Sequence, residues 1–472
     1  MKRAYRYILP FILVGALGLQ SCDDYFELSE NPNQVTDPAL SALLATTTQK
    51  AGATTYNVSN ITSYFVQYLA SPSASSTTDI YDIANYSSTW NSLYLAMADI
   101  YDMRQKAITE GSSEYVGVAN VLMSYHLTLV TDLFGNAPYS EAFRVDILTP
   151  KYDSQEQLYS ESLKLLNEAI TELSKTDATV KLSPTGDLIY AGDRAKWLKL
   201  AYALKARQLN KVSKTSSYAP AEVLTAVQNS FTSNADDAGM NVFPARNYWA
   251  GVALSNESNL LGGWLSEQLV DQLNGTTFGV VDPRLPKLAT ATVTNTYKGT
   301  PNGAGNVGPA SSTVKDESYI SRTSPFTSDE SPIYLVTYAE LKFVEAEAAF
   351  RANDKARAYT AYLEGISASM DKFGVSATDK ATYLANPAVG VGAANLTLDL
   401  IFKEKYITTY LNPEAWNDAR RFDYQYKNFT LPANAALTTF IRRVAYPTDE
   451  ISRNGANVPA VGSLSERLWW DK

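Results

Sequence analysis

The spacing of apolar residues along the chain predicts a protein made mostly of helices. One predicted helix begins with Ser154 and Gln157, the pattern of a capping box, in which each side chain bonds the backbone amide of the other residue. The apolar residues that follow recur every three or four positions, which is the period of one helix face: Tyr159, Leu163, Leu166, Ile170 and Leu173. Residues 90–109 and 114–133 show a similar period on either side of a turn around Gly111, so we expect an antiparallel helix pair there.

Two further stretches resemble the tetratricopeptide repeat, a helical hairpin that packs through small and aromatic residues. The first stretch carries the first-helix positions of the repeat as Trp197, Leu200, Ala201 and Leu204. The second carries the small and aromatic positions as Ala346, Ala358, Tyr362 and Gly365, with Asn353 and Asp354 at the turn and with Lys342 and Glu345 departing from the pattern. Such repeats are packing units, and they indicate no chemistry.

The helical period fails between residues 275 and 332, which predicts a loop-rich insertion. Residues 288–297 alternate between apolar and polar, which predicts a strand, and residues 317–322 could form the returning strand. A G-x-G-x-x-G pattern at 303–308 lies between Pro301 and Pro309, without the preceding strand and the following helix that a dinucleotide site requires. A long irregular insertion in a helical body is typical of a binding loop, and disorder at its tip is the alternative.

The N-terminus has the pattern of a bacterial lipoprotein signal. The basic residues Lys2, Arg3 and Arg6 precede an apolar run that is shorter than the ~20 residues needed to span a bilayer, which predicts a signal peptide over residues 1–21. The run ends in Leu-Gln-Ser before Cys22, as in a lipobox, so we expect a lipid on Cys22 that anchors the chain to a membrane. The alternative is an ordinary signal peptide with a chance cysteine. Residues 22–37 would form an acidic tether, followed by one domain over residues 38–472.

Charge and composition exclude several classes of function. The formal net charge is −9 and no basic run occurs in the body of the chain, which argues against nucleic acid as a partner. Cys22 is the only cysteine, so its lipidation would leave no thiol for disulfides or catalysis. His126 is the only histidine and lies in an apolar helical stretch, which favours a packed role. We therefore predict no cofactor and no metal, while the carboxylate pair of a surface glycosidase stays open as an alternative.

Two distant segments carry distinctive motifs. Residues 132–143 read D-L-F-G-N-A-P-Y-S-E-A-F, in which a glycine and a proline stop a helix and aromatic residues can fix the turn to the core. Near the C-terminus, Trp416 and Arg420 lie four positions apart, where a guanidinium can stack on an indole. Further tracts follow at residues 442–447 and 457–459, and the chain closes on Trp469, Trp470 and Asp471.

Taken together, these segments resemble the SusD/RagB family of outer-membrane nutrient-binding lipoproteins, in its SusD-like branch. The resemblance runs from the lipobox at Cys22 to the C-terminal tryptophans, and residues 132–143 are its most specific part. It implies a mainly α-helical fold in which tetratricopeptide-like hairpins support an irregular, loop-rich ligand-binding half with a few short strands. It implies a lipid-anchored protein on the surface of the outer membrane, without enzymatic activity. Such a protein would bind oligosaccharides or peptides and deliver them to a SusC-like TonB-dependent transporter.

The resemblance transfers no ligand-binding residue, so candidates come from chemistry alone. The chain holds 31 tyrosines and 7 tryptophans, whose flat faces suit sugar rings or peptide side chains. We selected aromatic, amide and guanidinium residues in stretches without helical period: Tyr81, Tyr86, Asn247, Tyr248, Trp249, Trp264, Tyr319 and Arg322. A helical-repeat scaffold without any small ligand is a further alternative.

Overall fold

The computed structural model describes residues 37–257, 262–306 and 316–472, and α-helices dominate it, as the apolar spacing predicts. The described residues form fifteen α-helices, and the contacts group Leu40–Lys472 into a single unit. The helices are α1 Leu40–Phe65, α2 Ser87–Thr109, α3 Ser113–Phe134, α4 Gln155–Ser174, α5 Arg194–Lys211, α6 Pro220–Gln228, α7 Tyr248–Glu257, α8 Glu267–Leu273, α9 Leu285–Leu288, α10 Tyr338–Arg351, α11 Lys355–Lys372, α12 Ala377–Ala385, α13 Leu398–Thr408, α14 Glu414–Arg421 and α15 Thr448–Asn454.

The described strands are short and belong to two antiparallel sheets. The strands are β1 Leu69–Ala70, β2 Ala238–Met240, β3 Trp264–Leu265, β4 Ala289–Thr290, β5 Tyr319–Ile320 and β6 Ile333–Val336. The first sheet has the order β1-β3-β5-β4, and the second pairs β2 with β6. Of these strands, β4 and β5 lie within residues 275–332, where the helical period fails.

The predicted helix pair and the predicted capping box are both present. Helices α2 and α3 are joined by a turn in which Gly111 has a φ of 67°. Ser154 and Gln157 cap α4 reciprocally. Of the predicted apolar face of α4, Leu166 and Leu173 are fully buried, whereas Tyr159, Leu163 and Ile170 are half-buried because the helix packs through the adjacent line of Leu158, Leu165 and Ala169.

The tetratricopeptide-like stretches also form helices that pack as predicted. All four predicted residues of α5 are buried, and Trp197 donates its indole N–H to Asp187 at 2.7 Å. Helices α10 and α11 form a hairpin whose turn contains Asn353 with a φ of 62°. At Gly365 the two helices approach so closely that a β-carbon would lie 2.8 Å from the ring of Phe343. Small residues therefore set the separation of this hairpin.

Helix α3 forms the centre of the helical half. Among the described residues it is the one helix long and apolar enough to span a membrane, and every residue in it is buried inside the protein. It packs against α1, α2, α4 and α5, which explains why it carries almost no polar outer face.

The two distinctive motifs of the sequence meet in space at the end of α3. The Asp132 carboxylate accepts hydrogen bonds from Lys211 Nζ at 2.6 Å and from Asn417 Nδ2 at 2.7 Å. Arg420 lies with its guanidinium carbon 3.6 Å from the Trp416 ring centroid and donates to the Asp132 carbonyl at 2.7 Å. The segment after 440 closes the cluster, since the Arg443 guanidinium donates to a backbone carbonyl of the first motif. The motifs therefore have a structural role.

The loop-rich segment contains the predicted pair of strands, although both are shorter than predicted. Strand β4 covers only Ala289 and Thr290, which pair with Ile320 and Tyr319 of β5. The strand predicted over residues 288–297 is wrong beyond its first residues, because the chain turns at Asn295, which has a φ of 57°. The Thr292 hydroxyl lies 2.8 Å from the Thr296 hydroxyl. This side-chain contact closes the turn where a longer strand would have formed backbone hydrogen bonds with its neighbour.

Candidate ligand-binding surface

The solvent-facing stripe of helix α1 has an unusual composition. Lys50 is the only charged residue of this 26-residue helix, and its C-terminal half carries none. In that half the residues that reach solvent are Ala53, Tyr56, Asn57, Asn60 and Tyr64, each of them half-buried. An exposed helix face normally carries charged side chains. Rings and amides in their place are typical of a surface that contacts another molecule.

The N-terminus of α7 extends this stripe. Tyr248 stacks on Tyr56 with 5.0 Å between the ring centroids and 29° between the planes, and its hydroxyl accepts a hydrogen bond from Gln49 Nε2 at 3.0 Å. Trp249 supports the Tyr56 ring from the side, with its centroid 4.9 Å away at 77°. The buried Trp249 therefore orients Tyr56, while Tyr248 is oriented by its stack on Tyr56 and its hydrogen bond from Gln49.

Helix α2 borders the stripe on its other side. The antiparallel register of α1 and α2 is given by contacts of Lys50 with Asp99 and of Asn57 with Ser92. Continued to the end of α1, this register places Tyr64 opposite Tyr86, the residue just before α2. We call Gln49, Tyr56, Asn57, Asn60, Tyr64, Tyr86 and Tyr248 the tyrosine surface. Tyr56 and Tyr64 are eight residues apart, which corresponds to about 12 Å along the helix.

The tyrosine surface is electrically neutral. Burial, together with the neighbouring Tyr248, raises the pKa of Tyr56, and burial raises the pKa of Tyr64 to about 12, with a smaller contribution from Asp79. Both hydroxyls therefore stay protonated at neutral pH and can both donate and accept hydrogen bonds. Asn60 forms no side-chain hydrogen bond with a described residue, so its amide is open to solvent. Neutral ring faces beside such groups suit an uncharged polyhydroxylated ligand.

Five of the eight residues selected from the sequence lie in the core. Tyr81 has no exposed surface, and its ring packs 6.0 Å from that of Phe65. Asn247 is also fully buried and donates to the Ser331 carbonyl at 2.6 Å. The remaining three are less than one-tenth exposed: Trp249, Trp264 and Tyr319. Their side chains hold loops and strands together, which leaves no ring face of Tyr81 and no amide of Asn247 for a ligand.

Three of the selected residues keep accessible surface. Tyr86 and Tyr248 belong to the tyrosine surface, and the Tyr86 hydroxyl lies 3.1 Å from that of Thr78. Arg322 is half-buried and lies 3.5 Å from Asp329, which also contacts Arg246 at 3.5 Å. This arginine pair lies on the loops next to α7 and forms a charged border.

The sequence search missed Tyr56, Asn57, Asn60 and Tyr64 because they lie in a strongly helical stretch, where rings usually pack in the core. A signal was nevertheless present. Tyr56, Asn60 and Tyr64 are spaced by four, which places them on one helix face, and no charged residue follows Lys50 in this helix. A helix face that is neither apolar nor charged indicates a binding surface.

Metal binding has no centre in the described residues. They contain no group of three or more histidine, cysteine, aspartate and glutamate side chains placed to hold a metal ion. His126 is buried, with Nδ1 2.7 Å from the Leu122 carbonyl and Nε2 3.1 Å from the Thr54 hydroxyl. Its role in the fold is therefore packing and hydrogen bonding.

The sequence of the chain also matches a known family. A sequence profile described as "Starch-binding associating with outer membrane" matches residues 32–447. The chain belongs to the SusD-like family. SusD-like proteins are binding proteins rather than enzymes, and membership places the chain among carbohydrate-binding proteins that associate with the outer membrane.

Solved SusD-like structures share the fold over nearly their whole length. A SusD homologue from Bacteroides fragilis is 23% identical with a TM-score of 0.76, and the match covers 92% of this chain and 100% of that one. A chitin-binding SusD homologue from Flavobacterium johnsoniae is 23% identical with a TM-score of 0.74, covering 90% of this chain and 98% of that one. Another structure, described as a chitin-binding protein, is 25% identical with a TM-score of 0.75, covering 91% and 99%. No curated protein matches the chain in sequence.

Proposed function

We propose that this SusD-like protein is a cell-surface lipoprotein that binds a neutral oligosaccharide on the tyrosine surface and delivers it to a SusC-like TonB-dependent transporter. The observation that carries the proposal is the uncharged outer stripe of α1, where rings and amides replace the usual charged residues. The starch-binding description of the family and the chitin-binding relatives support a glycan over a peptide.

Binding would rest on stacking and hydrogen bonds. Tyr56 and Tyr248 would present ring faces to the apolar faces of sugar rings, while Asn57 and Asn60 would bond sugar hydroxyls. The stacked pair is oriented by Gln49 and Trp249 before any ligand arrives, which lowers the entropy lost on binding. A weak single-site affinity is sufficient for delivery, because capture beside a transporter raises the local concentration of ligand.

The anchor and the tether belong to the same proposal. The signal peptide over residues 1–21, the lipidated Cys22 and the acidic tether over residues 22–37 lie outside the described residues, apart from Asp37. The lipobox pattern and the outer-membrane description of the family support them. A Cys22→Ser variant of the full chain should leave the membrane fraction, whereas the unchanged protein should stay in it and incorporate a labelled fatty acid.

Ligand binding is tested with residues 38–472 and a panel of neutral oligosaccharides and peptides, followed by mass spectrometry of the bound fraction. We expect an intact oligosaccharide to be retained. Tyr56→Ala and Tyr248→Ala should each weaken its binding roughly three- to tenfold, the effect of losing one ring contact. Tyr202→Ala removes a half-buried tyrosine elsewhere and serves as the control.

The alternatives predict different results. A cleaved ligand would contradict the assignment as a binding protein, and retained peptides without glycans would contradict the choice of ligand. Affinity that is unchanged in both tyrosine variants would remove the tyrosine surface from the proposal. Delivery is tested separately, by asking whether the lipidated protein co-purifies with a barrel transporter from native membranes.

A further inference from the structure

Trp249, which supports the Tyr56 ring of the tyrosine surface, also lines a small cavity. The space that the centre of a water-sized sphere can reach inside this cavity is about 20 Å³. Its other walls come from the segment between residues 326 and 340, which includes strand β6, and from residues 408–412 at the end of helix α13. The cavity therefore lies where three distant segments of the chain meet.

Two hydroxyl groups from the wall of this cavity form no hydrogen bond with a described residue. These groups are Thr408 Oγ1 and Tyr410 Oη, and both oxygens are buried. The residues that carry them are only 5% and 2% exposed. The neighbouring Thr409 shows the usual arrangement, since its hydroxyl donates to the Lys405 carbonyl at 2.8 Å. A buried hydroxyl without a partner is costly, so something in the cavity is expected to supply one.

Other polar groups of the lining already bond within the protein. The Glu340 carboxylate accepts from Arg207 Nε at 2.8 Å and from Arg207 Nη2 at 2.7 Å. Asn412 Nδ2 donates to the Tyr334 carbonyl at 2.9 Å, and Asn412 Oδ1 accepts from the backbone N–H of Glu414 at 2.9 Å. The apolar part of the wall is formed by five residues: Trp249, Phe326, Pro332, Ile333 and Leu411.

The size and chemistry of the cavity select its occupant. Burial raises the pKa of Tyr410 well above 10, so its hydroxyl stays protonated and, like that of Thr408, can both donate and accept. An apolar occupant would leave both hydroxyls without a bond, and an ion would lose its hydration in a mainly apolar cavity. One water needs roughly 10–15 Å³ of space measured in this way, so the cavity is large enough for a single water.

We propose that one water molecule is bound in this cavity and forms hydrogen bonds with both Thr408 Oγ1 and Tyr410 Oη. The water fills the space between the end of α13 and the wall formed by Trp249 and β6. It is thus part of the packing against Trp249, the residue that orients Tyr56. The proposal holds whether or not the tyrosine surface binds a glycan.

A crystal structure of residues 38–472, at a resolution that shows ordered water, tests the site directly. We expect one water within about 3 Å of both hydroxyl oxygens. Tyr410→Phe and Thr408→Val keep the shape of each side chain and remove one partner of the water. Each should lower the equilibrium constant for folding about fivefold in urea denaturation. The loss in the double variant should be smaller than the two single losses combined, because both hydroxyls bond the same water.

Tyr202→Phe is the matched control, since it removes the hydroxyl of a half-buried tyrosine outside the cavity and should leave the folding constant unchanged. Absence of electron density in the cavity would overturn the proposal. So would a Tyr410→Phe or Thr408→Val variant that is as stable as the unchanged protein or more stable, because a hydroxyl without a partner costs stability. Fully additive losses in the double variant would contradict a shared water. A cavity without water in a protein that binds glycans normally would refute this proposal alone.

Discussion

His126, the only histidine in the chain, gives a direct test of the core, because we expect it to stay uncharged down to about pH 4. Burial and, to a smaller extent, the charge of Lys50 lower the pKa of this imidazole from 6.5 to about 4, although the hydrogen bond with the Leu122 carbonyl raises it. A carbonyl can only accept, so Nδ1 must carry the proton that reaches the Leu122 oxygen. Nε2 then accepts from the Thr54 hydroxyl at 3.1 Å.

The stability consequence has a definite sign. In the unfolded chain the histidine titrates near 6.5, so between pH 6.5 and about 4 the unfolded state binds more protons than the folded state. The free energy of unfolding should therefore fall as the pH drops through this window and be fully present above it. At 1.36 kcal/mol per pH unit, the whole effect is about 3 kcal/mol.

Two measurements check this prediction. Protein labelled with ¹³C at histidine Cε1 should give a single imidazole NMR signal that does not titrate until about pH 4. Chemical denaturation from pH 7 to pH 4.5 should show His126→Gln losing about 2 to 3 kcal/mol less stability than the unchanged protein. Titrating carboxyls are common to both proteins and cancel in this difference.

The reasoning would be refuted by an imidazole pKa near 6.5 in the folded protein. Parallel loss of stability in the two proteins over the same pH range would refute it as well, since the buried neutral histidine would then have no energetic effect.

Two further predictions concern the packing of the α10–α11 hairpin and the buried charges beside it. Gly365→Ala should lower the free energy of unfolding by roughly 1–3 kcal/mol, because its new methyl group would press on the Phe343 ring. The control Gly251→Ala has open space around the new group and should raise the free energy of unfolding by up to about 1 kcal/mol. Equal effects of the two substitutions in urea titrations would contradict this prediction. Glu347→Gln should cost about 3 kcal/mol because it removes one of the two buried carboxylates that face Arg421, Glu347 at 2.7 Å and Asp418 at 2.6 Å. A loss below about 1 kcal/mol would show that Asp418 alone is a sufficient counter-charge.

Local signals in the sequence were sufficient for most of the helical framework. The capping box at Ser154 and the turn at Asn353 depend on neighbouring residues only, so they could be predicted without knowledge of the fold. Strand β4 was predicted too long because a turn at Asn295 competes with the alternating pattern. The period of a pattern indicates the type of an element more reliably than its length.

The residues proposed to bind the ligand could not be predicted in the same way, because exposure depends on contacts between distant segments. Tyr81 lies in a turn-rich stretch, yet its ring enters the core beside Phe65. Tyr56 lies in a helix that looks like core, yet the neighbouring helices leave its face half open. Only the spacing of rings and amides by four, without charges, distinguished that face in the sequence.

The composition of helix α3 has a consequence for export. A chain that crosses the inner membrane before folding presents each hydrophobic segment to the translocation channel, where a sufficiently apolar one is released sideways into the lipid. Ser113–Phe134 is long enough and apolar enough for this. Asn120 and His126 lie inside this segment and Asp132 lies near its end, and polar or charged side chains in such a segment oppose its insertion into lipid. If the protein is exported as proposed, this core helix cannot become much more apolar, because it would then be retained in the inner membrane during export.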